Sequence, residues 1–218
     1  MVVPNVIGKA GKFKICFQAT TLNKHAGIVR LKEFTDRLGL PLLLDSQLAV
    51  KERERGYTES QSILPLCWNL ILGGDCPDDL DVLRGDVGTQ ALLGLESVIA
   101  PTTAGEFLRK FTIGDLSALR TLLGTLAERR RPLQLSEAVT PDFDAAIYAQ
   151  CSRRKQGSRK AYNGQVGYAP IFCFWAEEAE LWASHLLAGN RNPAAKIVWF
   201  FSQARSWVPA GRRLKVRA

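Results

Sequence analysis

Residues 140–174 read TPDFDAAIYAQCSRRKQGSRKAYNGQVGYAPIFCF, and this stretch decides how the remainder of the chain is organised. Asp142 and Asp144 lie two residues apart in a segment that is otherwise apolar and extended. Side chains alternate across a strand, so both carboxylates fall on one face and Phe143 on the other. A loop carrying Arg153, Arg154, Lys155, Arg159 and Lys160 follows, with Gly157 and Gly164 letting a backbone approach closely, and a second apolar run closes the stretch. Carboxylates suited to a metal ion thus stand beside cations suited to phosphate. A solvated charge run is the plain alternative for the loop, and Tyr162 and Tyr168 are placed either to stack on a base or to pack beneath it.

Downstream the strand pattern continues. Ala138 to Tyr148 reads as one strand, Ala169 to Ala176 as a second and Glu180 to Leu187 as a third, with Glu177-Glu178 turning the chain. A helix runs from Pro193 to Ser206 or Trp207, Pro209-Ala210-Gly211 break it, and RRLKVRA is a final strand. The order is β-β-β-α-β.

Upstream the periodicity is helical. After a short strand at Phe13 to Ala19, helices are predicted over 24–38, 42–50, 58–72, 77–84 and 102–111, followed by a long one ending at Pro132. Thr58 with Gln61 forms a capping-box pattern, and Ile63, Leu64, Leu66, Trp68, Leu70 and Ile71 circle the helix that follows, which marks it as central. Thr112 and Asp115 cap the long helix, and Ile113, Leu116, Leu119, Leu122, Leu123 and Leu126 read as its core stripe. The fold class is α+β or α/β, a helical region over 1–132 and a mixed sheet over 133–218.

The net charge of +8 is unevenly spread: residues 1–150 hold 17 Lys+Arg against 18 Asp+Glu, and residues 151–218 hold 12 against 3. This points to an anionic partner for the last third, nucleic acid first and acidic membrane second, although solubility alone would also account for it. No apolar run approaches a membrane span, and the first residues lack the apolar core of a secretion signal. The five cysteines have no paired spacing and only His25 and His185 could join them, so a zinc site is not expected and free thiols in a reducing cytoplasm are. Asp75, Asp78, Asp79 and Asp81 lack the glycine and terminal glutamate of a calcium loop.

Five blocks in succession, GYTESQSILPLCWNLILGGDCPDDLDVLRGD, PTTAGEFLRKF, DFDAAIY, RRKQGSRKAYNGQVGYAPIFCF and LLAGN, resemble bacterial insertion-sequence DDE transposases of the insertion sequence 1380 type, from about Leu22 to Ala218. The resemblance implies a helical DNA-binding or assembly region before an RNase H-like core, and three acids holding two Mg²⁺ or Mn²⁺ ions. It makes Asp144 the first catalytic and metal-binding acid, with Asp142 a same-face neighbour that assists or has a structural role. It also places the second aspartate and the later glutamate beyond Ala218. The expectation is therefore a truncated or split transposase with an incomplete core that binds insertion-sequence ends but does not cut or join DNA alone. The alternative is a non-catalytic DNA-binding or inhibitory fragment pairing with intact transposase or with itself. The unpaired cysteines and the lack of a secretion signal or membrane-length apolar run make a cytoplasmic location without a membrane partner the expectation. The chain departs from the family pattern at Ala146, usually threonine, at Ala169, usually histidine, and at Pro141, usually an apolar strand residue.

Overall fold

Thr58 and Gln61 cap one another, as their spacing predicts: Thr58 Oγ1 accepts the Gln61 N–H at 3.2 Å and Gln61 Oε1 accepts the Thr58 N–H at 2.9 Å. They start helix α3 (Glu59–Ile71), the longest helix packed into the first of two units, Met1–Leu122 and Leu123–Ala218. The structure is a computed structural model describing residues 8–10, 13–15, 23–51, 55–130, 136–152, 154–205, 208 and 210–217.

In the first unit, β1 (Gly8–Ala10) and β2 (Phe13–Ile15) form an antiparallel pair; residues 16–19 of the expected strand lie outside the described residues. Helix α1 (Ile28–Arg37) ends at Gly39, whose φ of 68° needs no side chain, and Pro41 then sits in the first turn of α2 (Leu40–Gln47). A 3₁₀ turn (Pro77–Asp79) leads into α4 (Leu80–Gly85) and α5 (Val87–Leu93); α6 (Pro101–Arg109) follows, and α7 (Ile113–Arg130) runs into the second unit. Ile28, Trp68, Leu80, Leu83, Leu93, Val98, Ile99 and Ala104 form the core.

Two expectations about helix faces are corrected. In α3 the buried positions are Glu59, Ser60, Ser62, Pro65, Trp68 and Asn69, whereas Leu70 and Ile71 are exposed. In α7 only Leu122 is buried, and Ile113, Leu116 and Leu123 face out, Ile113 at 82 % exposure. The reason is geometric. Steps of three residues drift by about 60° around an α-helix, so Ile113 and Leu122 are on roughly opposite sides of it.

The second unit is built on one strand. β7 (Val166–Trp175) pairs antiparallel with β8 (Glu180–Ala188) on one side and with β4 (Pro141–Ala145) and then β5 (Tyr148–Ala149) on the other. β6 (Arg159–Lys160) pairs with its first two residues. β4 and β5 share one register against β7, so they are a single strand interrupted at Ala146. The Ala146 N–H donates to Pro170 at 3.1 Å, but Pro170 has no N–H to return, which breaks the ladder there. After α8 (Ala194–Arg205), β9 (Arg213–Leu214) runs parallel to β3 (Ala138–Val139). That pairing extends along β4, where the Arg217 N–H reaches Pro141 O and the Phe143 N–H reaches Arg217 O, both at 3.0 Å.

The strand order is therefore β8, β7, β4 and then residues 213–217, the last parallel to β4. This agrees with the β-β-β-α-β reading and with a mixed α+β class. Pro141 fits because it opens β4 with its ring buried, although the N–H that residue 141 would give to Lys215 is missing. One sheet face packs Phe143, Ile171, Cys173, Trp175, Trp182 and Leu187 against Phe200 of α8.

Candidate active site on β4 and its basic loop

Alternation along β4 has the consequence drawn from the sequence. Pro141 and Phe143 are buried, Asp142 is half-buried and Asp144 is exposed on the other face. Across β7, Asp142 is opposite Phe174 and Asp144 opposite Phe172, and these two rings lie 6.2 Å apart beside the acids. Asp142 is not free. The Arg217 guanidinium donates to its Oδ2, and this hydrogen bond with the accompanying charge holds the carboxyl below the usual range. Arg217 is 75 positions away in the chain, and no sequence spacing reveals the pair.

Because the folded pKa of Asp142 lies below its unfolded value, the pair contributes stability above the unfolded pKa of about 4 and loses it as pH falls through the folded value. Arg217→Ala is expected to return the Asp142 carboxyl to the ordinary range in an NMR titration and to flatten the loss of stability below about pH 4. An unchanged titration would contradict the pairing.

Both acids supply hard oxygen ligands of the kind Mg²⁺ or Mn²⁺ takes. Asp144 offers both of its oxygens, while Asp142 has Oδ2 engaged by Arg217 and presents Oδ1. Among the described residues, three ligand-type groups converge only at Asp75, Cys76 and Asp79. There the Asp79 carboxylate accepts the N–H groups of Asp75 and Cys76, at 2.9 and 3.1 Å, and the Cys76 thiol. These bonds lower its pKa and close a helix cap, so this cluster is a capping device. The donor chemistry at β4 thus suits a divalent ion, and its two carboxylates are short of a two-ion set.

The loop forms an arch over the start of β7. The chain leaves β5 on one side of Gly167 and returns as β6 on the other, since Gly167 pairs with both Ala149 and Arg159. Gln150 Nε2 donates to buried Ser158 Oγ at 2.6 Å, and the Tyr168 hydroxyl donates to Gln156 O at 3.1 Å, pinning the arch from beneath. Arg154, Lys155, Arg159 and Lys160 are exposed on it; Arg153 lies outside the described residues. No acidic residue occurs between Asp144 and Glu177, so nothing within that stretch neutralises these cations.

Other candidates resolve into structural roles. Arg130 pairs at 3.3 Å with Glu180, the buried first residue of β8. Glu177 and Glu178 accept the N–H groups of Thr140 and Ser136, each at 2.9 Å, and so fasten the approach to β4. His185 packs among the rings of Trp199 and Phe200. Cys67, Cys76, Cys151 and Cys173 are free thiols, and burial, aided by the Asp142 charge, pushes Cys173 up to about 12. Cys16 lies outside the described residues. No helix among them is long and apolar enough to cross a membrane.

The transposase DDE domain, group 1, matches residues 6–207 and so spans both units. Neither a curated protein nor a solved structure matches the chain. Members of this family act in DNA transposition and generally use divalent metal ions. A strand that carries paired carboxylates beside an arch of cations, within a match of that extent, means that this chain belongs to the DDE-domain transposases of group 1.

Proposed function

We propose that the chain binds the ends of an insertion sequence of the 1380 type and contributes the first acid of the site that cuts and joins them. The observation carrying this reading is the placement of Asp144 and Asp142 on one face of β4, next to an acid-free basic arch. The order β8, β7, β4 with a parallel fourth strand after α8 supports an RNase H-like core over 133–218. Residues 1–132 would then serve DNA binding or assembly.

In this reading Asp144 holds a divalent ion, Mg²⁺ or Mn²⁺, whose chemistry is to activate an attacking oxygen and stabilise a leaving one. Asp142 is kept charged and oriented by Arg217, in reserve as a second ligand. Arg154, Lys155, Arg159 and Lys160, with Arg153, hold backbone phosphates. Because two carboxylates do not make a two-ion site, strand cleavage takes further acids brought to β4, and without them the chain binds DNA and does not cut it. A regulatory role, in which it occupies DNA ends or pairs with intact transposase, is the second reading; the engagement of Asp142 by Arg217 favours it.

Binding to a duplex from the element's ends is expected to weaken about 10²-fold from about 50 to about 200 mM salt if four phosphates are engaged. A double change Arg159→Glu, Lys160→Glu should remove about half of that slope. With Mg²⁺ or Mn²⁺, supercoiled donor DNA should yield no more cut product than the Asp144→Ala control. Salt-insensitive binding would refute the DNA contact, and cut product above the control would refute the need for further acids.

A further inference from the structure

We propose that Tyr162 is a stacking platform for an unpaired DNA base, mounted on a rigid hairpin turn whose flanking cations hold the adjoining backbone; this rests on the DNA-binding reading above. The turn joining β6 to β7 is closed by two backbone bonds, from the Gly164 N–H to Ala161 O at 3.0 Å and from the Ala161 N–H to Gln165 O at 2.7 Å. Gly164 has φ 85°, the left-handed conformation that a three-residue hairpin loop with a glycine bulge requires. Asn163 locks it further, accepting the Gln165 N–H at 3.1 Å and donating to Gln165 Oε1 at 2.9 Å. Ala161 is buried and anchors the base of the turn.

Tyr162 stands at the tip and is 93 % exposed. Its position in the turn asks only for ordinary backbone angles, which a small polar residue supplies as well. The ring therefore adds nothing to the fold and presents apolar surface to water. Tyr168 differs, being tied by its hydroxyl to Gln156 and lying against Gly157. The structure thus separates two tyrosines that the sequence left equivalent.

The surroundings select the partner. Lys160, Asn163 and Gln165 are the near neighbours in sequence, and Arg159, Arg154 and Lys155 lie on the same arch. A protein partner would call for apolar residues around the aromatic anchor. An aromatic ring on an arch of cations, in a stretch of chain without an acid, matches single-stranded nucleic acid, where bases stack and phosphates are neutralised. The locked turn means that little freedom is lost when the base stacks.

The test uses the full chain and two fluorescent DNA probes of one sequence, a perfect duplex and the same duplex with a short unpaired segment. Wild type is expected to prefer the second. Tyr162→Ala should weaken binding to it about ten-fold or more while changing duplex binding less than about two-fold, and Tyr162→Trp should keep the preference. A 2-aminopurine in the unpaired segment should be quenched by wild type and the tryptophan variant and not by the alanine variant. Equal binding of both probes by all three proteins, or an equal loss on both probes for Tyr162→Ala, would overturn the stacking role and leave DNA binding standing. Salt-insensitive binding of wild type to both probes would overturn both readings.

Discussion

Gly167→Ala is expected to destabilise the second unit by about 3 kcal/mol or more and to abolish salt-sensitive DNA binding with it. A Cβ at this position would come 2.0 Å from Tyr148 O and 3.0 Å from Ala149 Cα, both backbone atoms of β5. A flexible side chain could swing away from such a clash, but a paired strand cannot. β5 must leave β7, and the arch it starts then loses one foot. Gly189→Ala acts on the other foot, since its Cβ would lie 2.4 Å from Arg159 O and from Gly167 O. Urea unfolding of the variants, followed by anisotropy with end DNA, reads both effects. A wild-type midpoint for Gly167→Ala would mean that β5 is not held where the register puts it.

Trp175→Ala is expected to cost about 3–5 kcal/mol from lost packing alone. The ring is 1 % exposed, lies 5.4 Å from Trp182 and is covered by the Arg212 guanidinium at 5.7 Å. Its Nε1–H also donates to Ala138 O at 3.1 Å, which links the end of β7 to β3. Trp175→Phe keeps much of the packing and loses this bond, so its cost should be about 1–2 kcal/mol. The pair of variants separates the two contributions in denaturant titrations. Equal midpoints for the two would show that packing at this site is unimportant and that the hydrogen bond carries the effect.

Local chemistry explains which parts of this fold could be read beforehand. Thr58 and Gln61, Gly39 with Pro41, and Thr112 with Asp115 act within a few residues of themselves, and the helices start and stop where these residues require. The three antiparallel strands follow from alternation and from the Glu177-Glu178 turn. What was not legible depends on partners distant in the chain. Apolar residues around α3 and α7 could not show which face would be covered, and Leu70, Ile71 and Ile113 are exposed as a result. The interruption at Ala146 arises from Pro170 on the opposing strand. At the site, the common face of Asp142 and Asp144 was legible because strand geometry alone sets it. The capture of Asp142 by Arg217 and the arch over Gly167 were not, because each is a product of sheet register.

The way β7 holds its neighbours governs the order in which the second unit can form. β4, β5, β6 and β8 all take their antiparallel hydrogen bonds from this strand, so no part of the antiparallel sheet can be nucleated before residues 166–175 have emerged from the ribosome. The hairpin with β8 closes over four residues and is the quick step. Joining β9 to β3 spans 75 residues and, with proline at 141, forms one rung fewer than the strand allows. By loop length it is therefore the slowest of the second unit's strand pairings to form, and Asp142 acquires its arginine partner only with it.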